Sequence, residues 1–319
     1  MAEPTPLNTL KPGRVPPELE VSYYFDFESH PFRHAELFLS FEVVTVVDVV
    51  KRIEGYAAAW LDSEAAKTDD YQPLSPPPGC LTHGKVRILC EGDVLFIPRL
   101  IVGSESGEAG TLILGRNAHI IGASIYLDRG NVYVGRGTSI DCDCVITGPT
   151  ILGADNEIRP GCYLRGRIIT GDGCTLRCEA KNAVFMDRAE FPHPSYVGDS
   201  LMGYQTHFAN QATTSNVHLI SPLSPEAKYR SVVLELDGVS YDTGMRKLGM
   251  VMGDYSQVGC SCVSDPGTFL APRTLVYSLT RIKRGFYGPK QIIKNKPWEK
   301  GIIEVADLRE EKQQGSELR

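Results

Sequence analysis

The sequence has no basic excess: 33 Lys and Arg against 39 Asp and Glu leave a net charge of −6, which gives a nucleic-acid-binding role little to work with. It has no long apolar run either. The stretch Leu37 to Leu61 is broken by Glu42, Asp48, Lys51, Arg52 and Glu54, which argues against a membrane span and predicts a packed helix, from about Glu42 to Trp60. Residues Met1 to Glu20 carry five prolines and no apolar core, so no secretory leader is expected. The nine cysteines include no C-x2-C pair, and the two C-x-C pairs, Cys142/Cys144 and Cys260/Cys262, lack nearby His ligands. No metal is therefore expected, and the thiols read as reduced, in a cytoplasmic protein. What remains, 42% hydrophobic and 23% charged residues, is the composition of a globular chain able to bury a core.

The chain is rich in one thing, a six-residue period. Stepping from Val134 gives Ile140, Ile146, Leu152, Ile158, Leu164, Thr170 and Leu176, with only Thr170 departing from an aliphatic side chain. Two residues before each next aliphatic stand Thr138, Cys144, Thr150, Asn156, Cys162, Ile168, Cys174 and Ala180, mostly small. The register resumes at Met252, Val258, Ser264, Leu270 and Val276, with Ser256, Cys262, Thr268 and Thr274 at the small positions. Such a period fits three short strands forming the sides of a triangular coil, roughly 18 residues per turn, with the aliphatic residues inside.

This predicts an all-β solenoid over residues 80–280, with its first coils near Val86. Residues 182–248 break the period and read as an inserted loop, within which Val232 to Tyr241 form a hairpin turning at Asp237-Gly238. Residues 1–79 form an N-terminal extension: an aromatic stretch, the helix, and a proline-rich linker from Gln72 to Gly79. Residues 281–319 read as a C-terminal arm.

The chemistry-bearing residues cluster at Glu179-Ala180-Lys181-Asn182 and His193-Pro194-Ser195-Tyr196-Val197-Gly198-Asp199-Ser200. Taken alone, His193 is a loop histidine, Arg159 and Lys181 are solvent-facing charges, and Asp199 closes a turn with Gly198. Together these segments resemble the E-x-K-N and H-x-x-Y-x-G-D-S motifs of hexapeptide-repeat acetyltransferases, in particular the acetyltransferase domain of the UDP-N-acetylglucosamine pyrophosphorylase family. Ile158-Arg159-Pro160-Gly161, Asp242-Thr243-Gly244, Arg246-Lys247-Leu248-Gly249, Gly253-Asp254 and Asp265-Pro266-Gly267 are similar to further segments of that family. The resemblance covers about residues 86 to 280. It implies a left-handed parallel β-helix, a homotrimer with sites between subunits, and N-acetyl transfer from acetyl-coenzyme A to glucosamine 1-phosphate or a related amino-sugar phosphate. It casts His193 as the base, a role histidine's titration range suits. Arg159 and Lys181 would hold phosphate, and Tyr196 and Asn216 would position the substrate.

Two departures from the family pattern stand out. Where the family reads N-x-G-A-G-T beside the coenzyme's thioester, this chain reads His207-Phe208-Ala209-Asn210-Gln211-Ala212. His207 would then meet the sugar or form a second proton-transfer group, and Ala209, Asn210 and Gln211 would face the coenzyme, with added bulk. No glycine-rich nucleotidyl-transfer loop precedes residue 85, so uridylyl transfer would fall to a separate enzyme. These departures leave a second reading open, a non-catalytic trimer that binds a sugar phosphate or nucleotide sugar and regulates or scaffolds a partner. Residues 273–300 carry Arg273, Arg281, Lys283, Arg284, Lys290, Lys294, Lys296 and Lys300, a strip suited to coenzyme phosphates, to a solvated arm, or to RNA.

Overall fold

A computed structural model describes residues 3–218, 230–295 and 303–307. The six-residue period becomes a β-solenoid of about 11 turns. Each coil lays down a strand on a first, a second and a third face in turn. Leu81–His83, Val86–Cys90 and Leu95–Ile97 are the first three, and each pairs in parallel with the next coil. In the regular part Val134 pairs with Leu152, Ile146 with Leu164, and Ile158 with Leu176, one 18-residue turn apart. Every aliphatic position of the period is buried, since each points down the axis of the prism.

The polar exceptions inside are satisfied rather than tolerated. Thr138 donates its hydroxyl to the Gly153 carbonyl at 2.7 Å and accepts the Asn156 amide N–H at 3.0 Å. Asn156 in turn donates to the Thr170 hydroxyl at 2.7 Å and accepts the Cys174 N–H at 2.6 Å. Thr170 breaks the aliphatic rule because it closes this chain of bonds. The small-position cysteines Cys144, Cys162, Cys174 and Cys262 are buried in the same way, and all nine thiols are free. Burial pushes Cys144 and Cys174 up to about 12, which suits inert packing thiols.

The coils begin at Leu81, and Val86 stands in the first of them. Two expectations from the period need correcting. Residues 182–248 are not one insertion: Glu179–Phe185, Tyr196–Met202, His207–Phe208 and Thr213–Thr214 are coil strands. There Thr170 pairs with Phe185 and Phe185 with Met202, so shortened turns lose the period while keeping the coil. The true excursion leaves after Thr214 and returns at Met250, carrying the expected hairpin as Val233–Leu236 and Val239–Asp242. Finally, the arm expected from residue 281 continues the solenoid as Arg281–Ile282, Gly285–Tyr287 and Gln291–Asn295, with Ile303–Asp307 added antiparallel on the third face.

The second face carries an outward ladder of Leu89, Ile113, Tyr133, Ile151, Ile169, Val184, Leu201, Val251 and Phe269, all buried. The N-terminal segment covers it. Its main cover is α2, Val46–Ala65, displaced C-terminally from the predicted Glu42–Trp60; the short helix α1, Glu36–Leu39, precedes it. Asp48 accepts the Thr45 N–H at 2.9 Å and starts α2. Val46, Val50, Ile53, Ala57 and Leu61, spaced three or four apart, then form its buried face. Each such side chain contributes about 1.5–3 kcal/mol by leaving water. Asp254 accepts the Asp26 N–H at 2.9 Å, and Thr5–Pro6 pairs with Tyr241–Asp242, tying the segment to the solenoid and to the excursion.

Candidate functional site

The corner between the first and second faces holds a vertical column of Gly130, Gly148, Gly166, Asn182 and Asp199. Asn182 donates its N–H to the Gly166 carbonyl at 3.2 Å, and Gly249 donates to the Asp199 carbonyl at 2.8 Å. Asn182 and Asp199 both adopt left-handed backbone, φ 51 and 50, which Asn and Asp tolerate better than other side chains. Where glycine gives way to these two residues, the motif side chains converge.

Asp199 is the hub. Its two oxygens accept Asn182 Nδ2 at 3.0 Å and Asn216 Nδ2 at 2.6 Å, and Asn216 Nδ2 also lies 3.2 Å from the Tyr196 hydroxyl. Asn182, Asp199 and Asn216 are buried, while Tyr196 and Lys181 are half-buried at the rim. Gly198 makes this geometry possible, since a Cβ there would come within 2.6 Å of both the Tyr196 hydroxyl and Asn216 Nδ2. Burial raises the Asp199 carboxyl, and the two amide donors and the charges of Lys247 and Lys181 only partly offset it. Lys181 is lowered, by burial first and then by repulsion from Lys247, Arg165 and Arg167. Tyr196 is raised by burial and by the Asp199 charge. The cluster thus gathers more positive charge than it neutralises, around one fixed carboxylate and a phenol whose proton is free for a ligand.

The other residues chosen from sequence lie elsewhere on the same coils. Arg159 and His193 occupy the corner between the third and first faces: Arg159 pairs with Glu157 at 3.0 Å and reaches the Pro192 carbonyl at 3.5 Å, beside the exposed His193. Ala209, Asn210 and Gln211 sit at that corner one coil further on. Gln211 takes φ 61, the left-handed conformation for which the family pattern uses glycine, and its Oε1 accepts the Ser261 hydroxyl at 3.3 Å. His207 stands on the third face, 3.3 Å from Glu190. Lys181, Tyr196 and Asn216 therefore come together, whereas Arg159, His193, Ala209, Asn210 and Gln211 form a second group and His207 stands apart.

Sequence reasoning missed Arg165 and Arg167 and gave Asp199 only a turn role. Arg165 was findable, because it stands in register one coil before Lys181. The basic strip dissolves, since its length winds around the prism. Arg281 pairs with Asp265 on the first face, Arg284 bonds the Val233 carbonyl, and Arg273 lies 4.4 Å over the Tyr255 ring at the corner between the second and third faces. Lys296 and Lys300 lie outside the described residues.

No family model matches the chain. Among curated proteins it is similar to the Bifunctional protein GlmU of Synechococcus elongatus, 26% identical over 207 residues, 59% of this chain and 37% of that protein. The Bifunctional protein GlmU of Methanocaldococcus jannaschii is 30% identical over 111 residues, 34% of this chain and 24% of the relative. The chain thus spans little more than a third of the first of these relatives. A solved Arabidopsis UDP-N-acetylglucosamine acyltransferase superposes with TM-score 0.32 at 10% identity, over 72% of this chain and 73% of that one, too slight a likeness to carry an argument.

Proposed function

We propose that this protein is an acyltransferase that moves an acetyl group from acetyl-coenzyme A to the amine of glucosamine 1-phosphate or a related amino-sugar phosphate, in nucleotide-sugar biosynthesis. The observation that carries the reading is the convergence of Lys181, Tyr196, Asp199, Asn216 and Lys247, from four separate sequence segments, around Gly198. Lys181 and Lys247 supply fixed charge for a phosphate, and the Tyr196 phenol and the Asn216 amide fix the sugar. The neutral amine attacks the thioester carbonyl, the C–N bond forms, the C–S bond breaks, and His193 takes the proton the amine gives up. The coenzyme leaves as thiol.

His193, Arg159 and the Ala209–Gln211 segment face outward at a different corner from the phosphate cluster. The reading therefore includes a homotrimer, in which this corner of one copy would lie against the first face of the next. Gln211 accepts the Ser261 hydroxyl on the next coil, and in this reading the pantetheine arm passes beside it.

The test is thiol release on mixing the protein with acetyl-coenzyme A and glucosamine 1-phosphate. Turnover is expected, and His193→Ala should reduce it by about 10²–10⁴-fold while sedimentation still reports a trimer. Absence of thiol release, with glucosamine 1-phosphate still bound, would sink the enzyme and leave the non-catalytic sugar-phosphate-binding trimer. Survival of activity in His193→Ala would remove His193 as the base.

A further inference from the structure

Below the phosphate cluster, on its N-terminal side, the same corner opens into a groove of about 550 Å³ that Lys181 also lines. Its floor is bare backbone because Gly148 and Gly166 stack on it; a Cβ at Gly166 would come within 2.7 Å of the Gly148 carbonyl. One wall is the first face, where Tyr126, Thr147, Arg165 and Lys181 stand one above another on successive coils. The other wall is α2, whose Glu54 pairs with Arg167 at 3.1 Å. The groove crosses four coils, about 14 Å at the spacing of paired strands.

Its lining is chemically graded. At the far end stand Tyr126 and Arg129, an aromatic ring and a guanidinium whose side chain is 77% exposed. In the middle Arg165 and Arg167 flank Gly166, and at the near end is Lys181. Four cations line it against two carboxylates, Glu54 and Asp128, and Arg165 also pairs with Glu179 at 2.7 Å. The ion pairs Arg165–Glu179, Arg167–Glu54 and Arg129–Asp128 are exposed enough to exchange for a ligand at little cost. Lysine charge at one end, two guanidiniums above open backbone and a ring at the other end match an anionic linker that ends in a planar base.

We propose that this groove binds a nucleoside diphosphate, the amino sugar of the acceptor being carried on that diphosphate rather than on a single phosphate. The base lies on Tyr126 beside Arg129, the diphosphate on Arg165 and Arg167, and the sugar meets Asp199, Tyr196 and Asn216. The inference rests on the acyltransferase reading only for the word acceptor. Coenzyme A carries the same chemistry, but its expected approach, past Ala209, Asn210 and Gln211, is at another corner and on the C-terminal side of Lys181.

The experiment is titration calorimetry of the full chain with UDP, with glucosamine 1-phosphate and with coenzyme A, for wild type, Tyr126→Ala and Arg129→Ala. UDP should bind, and each variant should weaken it about tenfold. Glucosamine 1-phosphate and coenzyme A should bind the variants as they bind wild type. Arg129→Ala removes a surface side chain, so a folding failure of Tyr126→Ala leaves the test intact. No UDP binding, or UDP binding that ignores both variants, overturns the proposal; so does loss of coenzyme A affinity in the variants, which would make the groove the donor's. Turnover of glucosamine 1-phosphate without UDP binding would sink this inference alone, whereas UDP binding without thiol release would sink the acyltransferase reading alone.

Discussion

The first and second faces of the solenoid share one interior and differ in what they turn outward. On the second face the outward ladder runs Tyr133, Ile151, Ile169, Val184, Leu201, Val251 and Phe269, and the N-terminal segment buries all of it. On the first it runs Val145, Tyr163, Glu179, Tyr196, Thr213, Val263 and Arg281, and stays open, with the cluster around Gly198 at its edge. The inward residues build the coil identically in both cases. Outward residues therefore decide which face is covered and which stays open, because only they meet either water or another segment.

The largest effect expected from breaking this contrast is Ile169→Asp. A carboxylate placed under α2 has no partner there and should cost about 3–5 kcal/mol, read as a lower urea midpoint and faster proteolysis of the N-terminal segment. Thr213→Asp on the open face should stay within about 0.5 kcal/mol. Equal losses at the two positions would refute the division of labour.

A second effect is pH dependence confined to the covered side. His34 is 1% exposed, held by Tyr56 at 3.1 Å among Phe32 and Trp60, and burial followed by the Arg33 charge pushes it down to about 4. The folded state binds that proton less readily than the unfolded chain, whose histidine titrates near 6.5. Its contribution is therefore complete above pH 6.5 and is lost as pH falls towards 4, about 3 kcal/mol in all. His34→Phe should flatten the melting temperature over that window; an unchanged slope would clear His34 of the effect.

A third effect belongs to the edge of the open face. Gly198→Ala forces the Tyr196 hydroxyl and Asn216 apart and should cost about 1–3 kcal/mol by crowding. Its main effect should be on binding, with glucosamine 1-phosphate held about tenfold more weakly, since a misplaced hydrogen bond to an anion forfeits about 1.5–3 kcal/mol. Unchanged affinity would detach Gly198 from the site.

Part of this contrast is written in the sequence, although the six-residue period of inward residues does not bring it out. Tyr133, Ile151 and Ile169 recur one turn apart just before the inward Val134, Leu152 and Thr170, a sign that this face is covered. Gly130, Gly148 and Gly166 recur at the same interval and mark the groove. The motif residues Lys181, Tyr196 and Asn216 were also found from sequence. What escaped notice depended on the register: shortened turns after Thr170 hid five coil strands, Glu190–Phe191 among them, in or at the edge of an apparent loop, and the winding of residues 273–295 spread an apparent basic strip over the prism.

By itself the sequence determined the coil, because a period of inward aliphatic residues has only one inexpensive burial, inside a three-sided prism. Its motifs also pointed to Lys181, Tyr196 and Asn216, together with Arg159, His193 and His207, as candidate site residues. Only the tertiary structure decided that Asp199 joins the first three, that His193 and Gln211 stand at another corner, and that α2 forms the wall of a groove. Those relations depend on the lengths of individual turns and on a segment packed from more than a hundred residues away in sequence, and neither leaves a local trace in the chain.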